Sequence, residues 1–426
     1  MKDFEKIEIS NGIDLIRVEA DRFKTNEICF EFCVPLCEEK ASVNALLISL
    51  LSHRCKDYPT MLELNKKLAM LYGATVVGVP ARFGENQILS LNISSLDDRF
   101  SLENGSISTN SIELLLSLIF EPNFDENGFF LDKDIEQEKR LICDKLRSDE
   151  NEKRIYALKQ AEKIMFEGEP YAVNPKGTIE NIEKVTKQDL KDAWLDVIST
   201  AKIRLVVVGS ADVTNIPDLV KNKIANIDRH YQAPVESVFV PVAKEKKDVV
   251  ERIDVKQGKL VLGFRVNMKP DDENTVAMRS FCDMFGGGPY SKLFANVREK
   301  LSLCYYCSAR YDRHKSSIMI QCGCEEENMD KAVDEILNQL DIMKNGDFDN
   351  EFKSSNISLI DSLSSFNDDC ALLSTWYQKQ IIDDKIKSPL MSAKEVSTVT
   401  KEEVQKCANL LSLNVVYKLV GNKEGE

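Results

Sequence analysis

The sequence predicts an α+β protein of two homologous domains, each a mostly antiparallel sheet with packed helices. Three observations lead to this expectation. The 426 residues are more than one core accommodates and suit two domains of roughly 200 residues each. Runs of strand formers alternate with helical periodicity in both halves. The order of elements in the first half then recurs in the second, as internal duplication requires.

In the first half, residues 28–36 (Ile-Cys-Phe-Glu-Phe-Cys-Val-Pro-Leu) are strand formers with little polar interruption, as in a strand covered on both faces. Residues 42–51 follow as a largely buried helix, with Ser42 the expected cap of an apolar run. Thr60 and Glu63 form a capping box for the next helix, whose Leu64, Leu68 and Leu71 share one face and which Gly73 ends. Strands at 74–82 and 86–95 turn about Gly84, Glu85 and Asn86. Residues 108–119 and 132–147 read as helices, the second charged and amphipathic.

In the second half, 259–266 is again a strand and 274–285 again a helix. Three glycines, a helix at 291–300 and strands at 303–311 and 316–324 come next. Residues 185–190 (Val-Thr-Lys-Gln-Asp-Leu) match 399–404 (Val-Thr-Lys-Glu-Glu-Val), and each is followed by a strand that reaches a glycine, Gly209 or Gly421. Residues 228–248 hold Pro234, Pro241 and a charged run, the composition of an exposed linker. The expected domains are therefore 1–227 and 249–426.

The 70 acidic against 56 basic residues give a net charge of -14, which repels phosphate backbones and anionic lipid, so neither nucleic acid nor a membrane is an expected partner. No apolar run approaches a membrane span, and the charged start at residues 1–5 lacks the apolar core of a signal peptide. Twelve cysteines at irregular spacing among apolar positions, Cys29, Cys33, Cys37, Cys282 and Cys407 among them, read as reduced core thiols of a cytoplasmic protein.

Residues 298–305 (Arg-Glu-Lys-Leu-Ser-Leu-Cys-Tyr), preceded by Ser-Lys-Leu-Phe at 291–294, resemble the arginine and tyrosine segment in the C-terminal half of the pitrilysin, insulinase and mitochondrial processing peptidase superfamily. Residues 55–60 (Cys-Lys-Asp-Tyr-Pro-Thr) resemble the stretch just behind that family's zinc motif, and Pro170, Tyr171, Gly177, Thr178 and residues 185–190 are a third match in the family's order. Active members of the superfamily carry His-x-x-Glu-His and a downstream glutamate, three ligands whose open fourth position holds the attacking water. Counted back from Tyr58 and Pro59, that motif falls on residues 45–49, where Ala45 and Ile48 have no ligand atom and the Ser49 hydroxyl is a poor one. The downstream position falls on Lys145, whose ammonium beside zinc would cost roughly a few kcal/mol at an effective dielectric of about 20; a register slip of one would offer Asp144 instead.

Nothing else in the sequence rebuilds the site. His53, His230 and His314 have no partner at helical spacing. Cys304, Cys307, Cys322 and Cys324 could supply four sulfurs, but strand alternation puts Cys304 and Cys307 on opposite faces, so they read as free core thiols. Cys55 near His53 lacks the third group and oxyanion hole of a thiol nucleophile. No cofactor is expected. The resemblance implies that the two domains face each other across a chamber and that Arg298 and Tyr305 project toward a substrate backbone, the alternative being that Arg298 pairs with a carboxylate and Tyr305 packs in the sheet. Gly286, Gly287 and Gly288 resemble the glycine loop of noncatalytic processing-peptidase subunits, although a helix-ending turn fits them equally.

The implied function is a noncatalytic, peptide-binding subunit that completes the site of a zinc-bearing paralogue in a heterodimer, or forms a homodimer. The alternative is a stand-alone structural or peptide-holding protein. Through residues 22–25 (Arg-Phe-Lys-Thr) and 298–305 the chain is most similar to zinc-less bacterial members associated with 5-aminopentanol modification of elongation factor P.

Overall fold

The computed structural model describes residues 3–102 and 106–422; Met1 and Lys2 of the charged start lie outside that range. The chain divides into two compact units. One runs to Leu146 and takes in Val173–Glu236 and Ser365–Pro389; the other comprises Arg147–Ala172, Ser237–Ser364 and the chain from Leu390 onward. Residues 228–246 form neither helix nor strand, and the division between Glu236 and Ser237 falls among them.

The first unit holds β1 (Glu5–Ser10), β2 (Ile13–Glu19), β3 (Thr25–Pro35), β4 (Thr75–Phe83), β5 (Asn86–Leu96) and β6 (Lys202–Gly209), in the order β1-β2-β6-β3-β5-β4. The second holds β7 (Lys247–Ile253), β8 (Lys259–Val266), β9 (Tyr306–Asp312), β10 (Ser317–Gly323) and β11 (Leu411–Gly421), in the order β7-β11-β8-β10-β9. Only β2/β6 and β7/β11 pair parallel; every other neighbour pair is antiparallel. With β1 set aside, the two sheets coincide strand for strand in order and in sense. This is the duplication that the recurring sequence pattern predicts.

Each sheet is covered on both faces, which explains its uninterrupted apolar strands. On one face of the first, Phe30, Phe32, Leu89 and Leu205 pack with Leu46, Leu50 and Leu115 of the helices Glu38–Leu51 and Ile107–Phe120. On the other, Ile16, Cys29 and Val206 meet Leu373 and Tyr377 of the helix Cys370–Gln378. In the second unit, Phe281 and Phe285 of the helix Thr275–Gly286 pack against Leu262 and Ile320. Ala157, Ala161 and Met165 of the helix Lys153–Met165 cover Val261 and Tyr417 from the other side. No helix among the described residues is long and apolar enough to cross a membrane.

Two local expectations need correction. The first helix, α1 (Glu38–Leu51), begins four residues before Ser42. Cys37 at its N-cap makes no side-chain bond; Glu38 and Glu39 instead set negative charge against the positive end of the helix dipole. Ser42 is buried one turn in, where its hydroxyl accepts the backbone N–H of Thr178 at 3.2 Å. The helix expected at 291–300 is a π-helix, Leu293–Lys300. The charged helix is as foreseen but longer, α2 (Asp132–Asn151), and the helix before the glycines is α3 (Thr275–Gly286).

The most deeply buried cations of both cores meet carboxylates. Arg204 on β6 has no exposed surface; its Nε and Nη2 donate to the two oxygens of Asp14 on β2 at 2.6 and 2.8 Å, and its Nη1 to the carbonyl of Gln380 at 2.7 Å. Burial raises the Asp14 carboxyl, but the hydrogen bonds and charge of Arg204 outweigh it and hold the group below its ordinary range. Glu31 faces Arg204 across β3/β6 and burial pushes its carboxyl well up. In the second unit Glu169 takes both Arg265 (2.6 Å) and Lys315 (2.5 Å), and both cations lie over the Phe166 ring.

Asp14→Asn leaves a buried guanidinium without its counter-charge, and the expected loss is about 3–5 kcal/mol in urea unfolding; an unchanged midpoint would show that the pair carries no stability. Because the folded Asp14 titrates below its unfolded value of about 3.9, its contribution is present above about pH 4 and disappears as the pH falls through the lowered value. The wild type should therefore show an acid-induced loss of stability in that window that the variant lacks. Gly286 closes α3 against β9, where an added Cβ would stand 2.6 Å from the Ala309 nitrogen, so Gly286→Ala should cost about 1–3 kcal/mol by the same measurement.

Candidate functional site

The segment that resembles the superfamily's arginine and tyrosine motif is locally unusual. Over Leu293–Lys300 the backbone winds as a π-helix, and the N–H of Leu301 closes it onto the carbonyl of Asn296, five residues back, at 3.1 Å. Ser302 then takes a left-handed conformation (φ 50°), uncommon for a residue with a Cβ, and the chain turns into β9. Arg298 sits in the last π turn with its side chain 40% exposed, over the Phe294 ring at 4.5 Å and 3.5 Å from Glu299. Tyr305 is 58% exposed; its hydroxyl donates to Glu325 at 3.0 Å and its backbone N–H to Gly323. Tyr305 thus stands out from the sheet, and Arg298 keeps only a loose contact with its neighbouring carboxylate. Both donors face solvent.

The three glycines end a helix. Gly286 is its last residue, Gly287 its cap, and Gly288 lies against the Tyr290 ring; none takes a left-handed φ. At Gly286 the absent side chain serves the approach of α3 to β9.

The positions of the zinc motif are filled by core. Ala45 and Ile48 are 2% and 1% exposed on α1, packed among the apolar residues of the first unit. Ser49 is half-buried, and its hydroxyl donates to Glu138 on α2 at 2.7 Å. The other oxygen of Glu138 lies 3.1 Å from His53 Nδ1, and Arg54 pairs with Asp134 on the same helix at 2.8 Å. Burial raises the Glu138 carboxyl, but the hydrogen bonds from His53 and Ser49 outweigh it, and the group titrates below its usual range. The adjoining cavity, about 20 Å³, holds no more than a water or so. Lys145, the expected third-ligand position, is exposed on α2, as is Asp144.

The sequence did not foretell that Glu138, and not residue 145, meets Ser49. Its signal was a carboxylate placed on the buried face of α2 in step with Ile135 and Cys143. One imidazole and one carboxylate, already engaged with each other, fall short of the three protein ligands of a hydrolytic zinc site.

The cysteines differ from expectation. Cys304 lies outside the strand, in the turn after Ser302, so strand alternation does not govern it. Cys307 and Cys322 are direct cross-strand partners of β9 and β10. The sulfurs of Cys304, Cys307 and Cys322 all lie within 4.8 Å of one another, buried. Hydrogen bonds from Cys307 and then Cys322 draw the Cys304 thiol below its ordinary range.

Residues 184–352 match the family described as Peptidase M16 inactive domain. Over 97% of this chain and 96% of its counterpart, the sequence is 28% identical to the probable inactive metalloprotease YmfF of Bacillus subtilis (strain 168). Among solved structures, a conserved protein from Enterococcus faecalis V583 superposes with a TM-score of 0.90 at 22% identity over the full length of both chains. A peptidase M16 inactive domain from Pseudomonas fluorescens does so with 0.76 at 15% identity, again over 100% of each. The chain is thus similar over its length to inactive, zinc-less proteins of the M16 peptidase type, and its residues 184–352 match that family's inactive domain.

Proposed function

We propose that the chain is the noncatalytic, peptide-binding subunit of a zinc peptidase and completes the site of a zinc-bearing paralogue in a heterodimer. The observation that carries this reading is the contrast between two segments of one protein. Ala45 and Ile48 are buried in the core, whereas Arg298, at the end of a π-helix that Leu293 and Val297 anchor, and Tyr305, in the turn after it, keep their side chains at the surface. A guanidinium and a phenol so placed donate hydrogen bonds to a peptide carbonyl and stabilise the oxyanion that forms when metal-bound hydroxide attacks it. The partner would contribute the ion and its water. An extended peptide would gain further hold by pairing with an edge strand such as β9. The twelve cysteines are all free thiols, which favours a cytoplasmic setting.

Co-expression with a paralogue from the same genome that bears the intact His-x-x-Glu-His motif provides the test. The pair should hydrolyse peptides that neither chain cuts alone. Arg298→Ala in this chain should lower kcat/KM about 10²–10³-fold, with the complex still assembled by gel filtration. Tyr305→Phe, which removes one neutral hydrogen bond, should lower it by roughly tenfold or less. A co-purified pair that stays inert across a varied peptide library would sink the proposal and leave a peptide-holding role.

A further inference from the structure

The turn that carries Tyr305 lies on three buried sulfurs. Among the described residues Cys304, Cys307 and Cys322 are the one set of at least three metal-binding side chains whose donor atoms lie within 4.8 Å of one another. They are 8%, 5% and 0% exposed. Sulfurs bound to a common ion at about 2.3 Å stand roughly 4 Å apart, so the unliganded spacing is already close to that of a bound site. The shell is apolar, with Phe285, Leu293 and Met329 in the same core, and a dry thiolate shell suits ions of soft character.

We propose that Cys304, Cys307 and Cys322 form a buried site for a thiophilic d¹⁰ cation, Cu(I) or Zn(II), that pins the Arg298 segment to the second sheet. Each thiol that binds releases its proton to solvent, and the ion's charge replaces it. Arg298 near Cys304 and Lys259 near Cys324 supply positive charge that offsets what the thiolate cluster retains. Cu(I) is satisfied by three thiolates. Zn(II) takes four ligands, and Cys324, fully buried two residues beyond Cys322 but outside the set of mutually close sulfurs, would have to turn toward the ion to supply the fourth. The ion would fix the point at which the chain leaves the π-helix for β9, one residue before Tyr305. Its role is structural and separate from the vanished hydrolytic centre.

The test uses the full chain, reduced and stripped of metal, titrated anaerobically against a chromophoric chelator with Zn(II) and, separately, with Cu(I) supplied as its acetonitrile complex. One ion per chain is expected, with sulfur-only coordination in X-ray absorption: three sulfurs for Cu(I), four for Zn(II). Cys304→Ser and Cys322→Ser should each weaken binding by more than about a hundredfold. Cys324→Ser should weaken only Zn(II), and Cys282→Ser, elsewhere in the same core, should change nothing. The proposal is overturned if the unmodified chain takes up neither ion stoichiometrically, if uptake survives Cys304→Ser, or if anaerobically alkylated protein carries a disulfide between any two of the three. No partner subunit enters the measurement, so its failure is distinguishable from failure of the heterodimer.

Discussion

Arg204 occupies the strand that joins the parallel pair β2/β6 to the antiparallel remainder of the first sheet, and it has no contact with water. A guanidinium can stay charged there only because Asp14 meets it bidentately from the parallel neighbour while the backbone at Gln380 takes a further N–H. The second sheet meets the same constraint differently. Its buried cations Arg265 and Lys315 share one carboxylate, Glu169, which stands on the segment following the helix Lys153–Met165. In both units the charge ties a distant stretch of chain to the sheet: residues 365–389 in the first, 166–172 in the second.

Covering both faces of each sheet also decides what becomes of the hydrolytic site. A helix that lies on such a sheet is apolar nearly all round, and α1 buries ten of its fourteen residues. In a chain with the intact His-x-x-Glu-His motif, residues 45 and 49 would be imidazoles and residue 48 a glutamate. Without zinc, small or aliphatic side chains at the same positions join the core and add to its burial, as Ala45 and Ile48 do. Such side chains leave the scaffold intact, because they are what the sheet face selects.

The duplicated plan was legible because local chemistry marks it. Thr186 with Asp189 and Thr400 with Glu403 close the same capping box at the same place in each half, and the short sequence match at 185–190 and 399–404 is the trace of that box. The start of α1 was not legible. In a helix buried on most sides an internal serine looks like a cap, and the real cap makes no side-chain bond. The π-helix escaped for a different reason: its residues carry ordinary helical propensities, and only the five-residue hydrogen bond of Leu301 distinguishes it. Cys304 was misread because the alternation rule was extended two residues beyond the strand, whose first residue is Tyr306. Arg298 and Tyr305 were singled out by the resemblance alone, and their exposure could come only from the fold.

The clamp of Glu138 on Ser49 and His53 bears on the history of the chain. It engages the carboxylate of α2 in a contact that involves only one of the positions expected for zinc ligands, and it gives that carboxylate a structural occupation. Reinstating histidines along α1 would find Glu138 already committed and Lys145 still cationic at the surface. Such a change would add bulk to a filled core before it gained an ion, so each single step toward the zinc motif costs stability before it returns any binding.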